Sequence, residues 1–215
     1  MKKVIALSAL LATALFSHLA HAADTAELQV KGVIKPAACK PTFTGGGVVD
    51  YGVIPASRLT AGAYTRLEKK DVTLNVSCDA AAKIALVTTD NRAASKVAGI
   101  TESIRGGAEY NYGLGTVAGK NVGGYTLSIA PETTADSKPV TNLYAKGNAW
   151  ADDTTYIENT GTLFSFAAPG TKTPLAIKQL SARITVETIL NKPENLPLTQ
   201  EVPFDGSTTI EIKYL

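Results

Sequence analysis

Apolar and polar residues alternate most cleanly at the end of the chain. From Ser207 to Leu215 the sequence is Ser-Thr-Thr-Ile-Glu-Ile-Lys-Tyr-Leu. Ile210, Ile212 and Tyr214 therefore share one face, and Thr209, Glu211 and Lys213 share the other, the period of a half-buried strand. Leu28, Val30, Gly32 and Ile34 alternate in the same way near the start. Strands are expected at 27–34, 71–78, 83–88, 124–129, 162–166, 181–190 and 208–215. Within 181–190, Ala182, Ile184, Val186 and Leu190 fall on one face.

Turn signals separate these runs: Gly45-Gly46-Gly47, Asp90-Asn91, Gly106-Gly107 and Asp205-Gly206. No sustained helical period follows residue 22. Short strands at this spacing predict an all-β, antiparallel sandwich in a single domain, 23–215. The stretch from Arg105 to Asp153, rich in Gly, Ala, Thr and Tyr, reads as an extra hairpin or long loop within that domain.

Residues 1–22 read as a secretory signal peptide. Lys2 and Lys3 precede the apolar run Val4 to Phe16, and Ala20-His21-Ala22 fits a small-x-small cleavage site. The mature chain is then expected to begin at Ala23, in an exported compartment. Removing the signal takes both histidines, His18 and His21, and the only methionine. Without Lys2 and Lys3, the 21 basic residues become 19 against 19 acidic ones. Such a balance gives no footprint for nucleic acid or an anionic membrane. Nor is there a second long apolar stretch for membrane insertion. Two cysteines, Cys39 and Cys78, are expected to pair as a disulfide in an oxidising compartment.

A mature chain without histidine has no Ser-His or Cys-His pair and no imidazole metal site. Gly113 to Ala118 carries a dinucleotide-like glycine spacing, but no parallel strand and helix flank it in the expected order. Asp152-Asp153 with Glu158 lack the spacing of a calcium loop and read as a solvated acidic turn. The expectation is a protein that is not an enzyme and needs no cofactor or metal. Tyr110, Tyr112, Tyr125, Tyr144, Trp150 and Tyr156 crowd one segment and are expected to form core under it.

Several of these residues carry a resemblance. The segment Leu28-Gln29-Val30-Lys31-Gly32-Val33-Ile34-Lys35-Pro36-Ala37-Ala38-Cys39, the following Val48-Val49-Asp50-Tyr51-Gly52, the second cysteine and the penultimate Tyr214 resemble subunits of chaperone–usher fimbriae. Lys35 to Cys39, Gly47 to Gly52, Asp90-Asn91-Arg92 and the ending Glu211-Ile212-Lys213-Tyr214-Leu215 are also similar to a group of proteobacterial exported proteins. Some of that group are labelled beta-fimbriae major subunit, and one is encoded beside glutamate synthase.

The resemblance implies an immunoglobulin-like, pilin-like sandwich lacking its last strand. A periplasmic chaperone would fill the groove first, an outer-membrane usher would receive the subunit, and the arm of a like subunit would then replace the chaperone. Ala26, Leu28 and Val30 would be donor positions, while Ile210, Ile212 and Tyr214 would line the groove edge and meet the chaperone. Localisation would be periplasmic or in a cell-surface fimbrium of a Gram-negative bacterium. The other open reading is a self-complete, monomeric periplasmic binding or regulatory protein.

Overall fold

The computed structural model describes residues 26–34, 37–146, 148–152 and 154–215. The expected signal peptide and the expected mature N-terminus lie outside the described residues. The chain divides into two units, Met1–Lys35 and Pro36–Leu215. In the first, residues 26–34 form no strand, contrary to the alternation at 27–34. All nine are exposed, with Leu28 at 88%, Val30 at 90% and Ile34 at 100%. An alternating pattern marks a strand only once a neighbour supplies the ladder, and among the described residues none pairs with 26–34.

The second unit is built from fourteen described strands and five short 3-10 turns. The strands are β1 (Cys39–Phe43), β2 (Thr65–Arg66), β3 (Lys70–Asp90), β4 (Tyr112–Gly113), β5 (Thr116–Val117), β6 (Lys120–Asn121) and β7 (Gly123–Ile129). Then follow β8 (Thr134–Ala135), β9 (Lys138–Pro139), β10 (Thr141–Lys146), β11 (Ala149–Ala151), β12 (Phe164–Ala167), β13 (Ala176–Leu190) and β14 (Thr208–Tyr214). Apart from the small β5–β6 hairpin, they join in one curled antiparallel sheet, giving the β-sandwich-like architecture the sequence predicts.

β3 is the spine. The two strands expected at 71–78 and 83–88 are one strand of 21 residues, well beyond the usual ~3–10. Its first half lies between β1 and β13, and its second half pairs with β12 and β14. Between the halves, Asp79, Ala80 and Ala81 are exposed, and the β13 register shifts between Ile177 and Gln179. Small residues and a bulge let a strand bend there and change layers. Leu74 and Val76 enter the core from one half, Ile84 and Leu86 from the other.

Arg105 to Asp153, expected as an extra hairpin or long loop, holds the β5–β6, β8–β9 and β10–β11 hairpins. It contributes β7, which pairs with β13 over seven register positions, and β10, which pairs with β12. The aromatic residues explain why. Tyr110, Tyr112, Tyr125 and Tyr144 are buried, and the Tyr112 and Tyr125 rings stack with centroids 5.2 Å apart. Trp150 and Tyr156 are partly buried. The segment supplies core, as its aromatic density predicts, through strands at both ends of the sheet order, β10–β11 and β7–β4.

Candidate functional site: an unfilled groove beside the last strand

β13 has a neighbour along both edges, β3 on one side and β7 on the other. β14 differs. Among the described residues it pairs with β3 alone, from Thr208↔Asp90 to Tyr214↔Ile84. Its burial alternates as the sequence predicts, with Ile210 and Ile212 turned to the core and Thr209, Glu211 and Lys213 exposed.

Facing it is a second unpaired stretch. After β1, three glycines at φ 68°, 74° and 75° (Gly45, Gly46, Gly47) turn the chain through backbone conformations that only glycine adopts at little cost. Residues 48–54 then enter no strand ladder. Val49, Tyr51 and Ile54 nonetheless pack on the core, while Val48 and Val53 stay exposed. From 48 to 52 the segment has the sidedness of a strand without a strand's partner, and Gly52 at φ 62° ends the alternation before Ile54.

Between 43–51 and 204–210 lies a groove of about 430 Å³. Its walls are Phe43, Val49 and Tyr51 on one side and Phe204, Thr208 and Ile210 on the other. Core residues Val72, Leu127, Ile184 and Val186 form part of the lining. A second cleft of about 620 Å³, lined among others by Ile54, Leu59, Leu196, Leu198 and Val202, shares Val49, Tyr51 and Phe204 with the first. The Tyr51 and Phe204 rings meet there, 6.1 Å between centroids. Burial raises the Tyr51 phenol above its ordinary pKa, with Thr188 opposing. Among the described residues its hydroxyl has no hydrogen-bond partner.

Of the predicted groove-edge residues, Ile210 lines the groove and Ile212 packs on the core beside it. Tyr214 is placed differently: it is 53% exposed, and its hydroxyl accepts the Cys39 N–H at 2.8 Å. That bond ties the end of β14 to the start of β1, where Cys39 is disulfide-bonded to its register partner Cys78. Tyr214 closes one end of the open side. Ala26, Leu28 and Val30 lie in the N-terminal unit and are exposed.

The chemistry weighed from sequence finds other settings. Gly113 to Ala118 spans β4, a turn and the start of the β5–β6 hairpin, with no helix after it. Asp152 pairs with Lys172 at 2.8 Å. Asp153 lies outside the described residues. Glu158 accepts bonds from the Tyr110 and Thr162 hydroxyls. Among the described residues, no group of three or more acidic, histidine or cysteine side chains could hold a metal ion. No helix of the described residues is long and apolar enough to cross a membrane.

A family model described as "Protein of unknown function (DUF1120)" matches residues 28–136. The chain belongs to that family. The match begins at Leu28 and takes in β1, the unpaired 48–54 wall, the whole of β3 and the sheet as far as β8. The chain is 26% identical over 230 residues to "Uncharacterized protein YhcF" of Escherichia coli (strain K12), covering 94% of this chain and 96% of that protein. It is 28% identical over 245 residues to "Protein GltF" of the same organism, covering 98% and 96%. No solved structure matches the chain.

Within this DUF1120 chain, two parts of the site escape a reading of alternation. The wall at 48–54 has no partner to reveal it as a strand. The turn Asp90-Asn91-Arg92 holds the start of β14 through contacts between distant segments. Its one advance signal was Asp90-Asn91 as a turn former.

Proposed function

We propose that this protein is an exported structural subunit of the chaperone–usher kind, which gives a strand to one copy and receives a strand from another. The observation that carries the reading is the groove itself: an apolar channel with core side chains in its lining and an unpaired backbone on either side. An open backbone edge is a template for an added strand, and apolar surface left uncovered costs roughly 25 cal/mol per Å². The occupant is the segment containing Ala26, Leu28, Val30 and Ile34 of a second copy, whose apolar side chains are exposed in this chain. In strand addition the main chain supplies affinity and alternate side chains supply register.

A periplasmic chaperone would hold the groove before the arm of the next copy takes its place at an outer-membrane usher. Such a contact is head-to-tail and does not close on itself, so it propagates into a filament.

The test is to purify the mature protein from periplasm and run it unboiled and boiled on a denaturing gel. A ladder that collapses only on boiling is the expected result. Deleting residues 26–34 should remove the ladder while leaving a folded monomer that still binds a peptide of that sequence. A single monomer band from the intact chain, matched by monomeric size in chromatography, overturns the proposal in favour of a self-complete sandwich.

A further inference from the structure

An edge strand with one neighbour frays from its free end, and the start of β14 is the part that borders the groove. We infer that the turn Asp90-Asn91-Arg92 is a latch that fixes the start of β14 so that its open edge can accept a strand. The inference rests on the groove reading above.

The turn reaches β14 through backbone and side chains together. The Asn91 N–H donates to the Ser207 carbonyl at 2.9 Å. Its side-chain amide donates to the Ser207 and Thr209 hydroxyls, each at 3.0 Å. Arg92 takes Asp205 in two ways, Nη2 to the carboxylate at 2.6 Å and Nε to the carbonyl at 3.2 Å. One short turn thus holds three of the five residues from Asp205 to Thr209.

The turn itself is anchored inward. The Asp90 carboxylate is almost wholly buried, and it accepts the Arg92 N–H at 2.8 Å and the Gly113 N–H at 3.0 Å. Lys96 Nζ stands 3.9 Å away. A buried carboxylate that receives two backbone N–H groups locks both strands of chain that donate them. The packing leaves no slack. A Cβ at Gly113 would overlap the Arg92 carbonyl oxygen, one at Gly115 would overlap the Asp205 carboxylate, and one at Gly206 would stand 2.6 Å from the Tyr125 ring. Tyr125 adds a hydroxyl bond to Thr208 at 2.6 Å. Three regions far apart in sequence, 90–95, 113–115 and 205–209, meet to set one strand's starting point.

None of these bonds uses the free edge of β14. A second neighbour would hold that strand by its ladder. Here the latch does so from one end and leaves the ladder groups open. Asn91 is the residue to test, because it is exposed and among the described residues its side chain bonds to Ser207 and Thr209 alone.

Hydrogen exchange of the mature full-length protein, read for β14 and β13, should be measured for the wild type, Asn91→Ala and Asn91→Asp. Affinity for a synthetic peptide of residues 26–34 should be measured alongside. Asn91→Ala should speed exchange in β14 at least tenfold, leave β13 unchanged, and weaken peptide binding by about tenfold. Asn91→Asp should restore both, since a carboxylate accepts from the same two hydroxyls. Unchanged β14 exchange in Asn91→Ala overturns the latch, and so does acceleration that extends to β13. If β14 alone loosens but the wild type binds no peptide, the latch stands and the groove reading falls.

Discussion

β13 and β14 have the same alternating sequence grammar and opposite fates. In β13, Ile184 and Ile189 are each 1% exposed, and from Val186 to Leu190 both faces of the strand are buried. In β14, Ile210 and Ile212 are only partly buried and Tyr214 is half exposed. The difference lies in neighbours. β13 sits between β3 and β7, whereas β14 has β3 and then a groove. Alternation reports that one face of a strand meets apolar surroundings, and is silent on whether both edges are paired.

On the open side of β3 the ladders of β1 and β14 are reinforced by a disulfide and by single bonds, and among the described residues no strand pairs beyond β14, whereas β13 has a ladder along each edge; this ranks the expected effects. Replacing both cysteines, Cys39→Ala with Cys78→Ala, should cost about 4 kcal/mol by releasing a loop spanning 39 positions. Ile184→Ala should cost about 3 kcal/mol, as expected for a large side chain lost from a closed core. Urea unfolding of each variant checks both values. An Ile184→Ala cost below 1 kcal/mol would mean that the β13 side is as yielding as the β14 side, and the contrast would fail.

High pH should sharpen the comparison, because Tyr125 joins β7 to the start of β14. Burial pushes its phenol up to about 12, Asp90 adds to the rise, and Thr208 and Arg92 oppose it. Burial moves Tyr112 in the same direction. A raised value means that the folded protein keeps the proton longer than the unfolded chain does. The stabilisation is complete below pH 10, the ordinary phenol value, and is lost as pH climbs through about 12. For Tyr125 the full loss is about 3 kcal/mol. Unfolding midpoints at pH 9, 10 and 11 should fall steadily above 10, and Tyr125→Phe should flatten that fall.

How much of this was legible follows from the same contrast. The all-β class, the positions of β7, β12, β13 and β14, and the Cys39–Cys78 bond could be read ahead, since each rests on local alternation or on compartment chemistry. The continuity of β3 could not. Asp79-Ala80-Ala81-Ala82 looks like a break, and only pairing on both sides shows a bend. Arg105 to Asp153 could be read as an extra hairpin or loop holding the strand at 124–129, but the pairing of β10 with β12 could not, because it joins segments distant in sequence. The groove combines both difficulties. Ile210 and Ile212 could be named as an edge, but the wall at 48–54 and the Asn91 contacts depend on meetings between distant segments. Tyr214 was placed on the correct strand, while its bond to Cys39 depends on where β1 begins.

The smallest effects belong to β14 itself, and there the comparison is decided. Ile210→Ala should cost only about 1 kcal/mol in a monomer lacking residues 26–34, since a half-buried side chain loses less burial and leaves no closed cavity. Tyr214→Phe should cost about 0.5–1 kcal/mol, the worth of one hydrogen bond whose donor, the Cys39 N–H, lies near solvent. The two should part when a peptide of residues 26–34 is added. Ile210 lines the groove, so its truncation should weaken peptide binding several-fold; Tyr214 clasps β1 outside it, so Tyr214→Phe should leave binding unchanged. Equal losses from both would place Tyr214 in the strand-accepting surface after all. No loss from Ile210→Ala would mean that β14 is an ordinary edge and that the groove takes no strand.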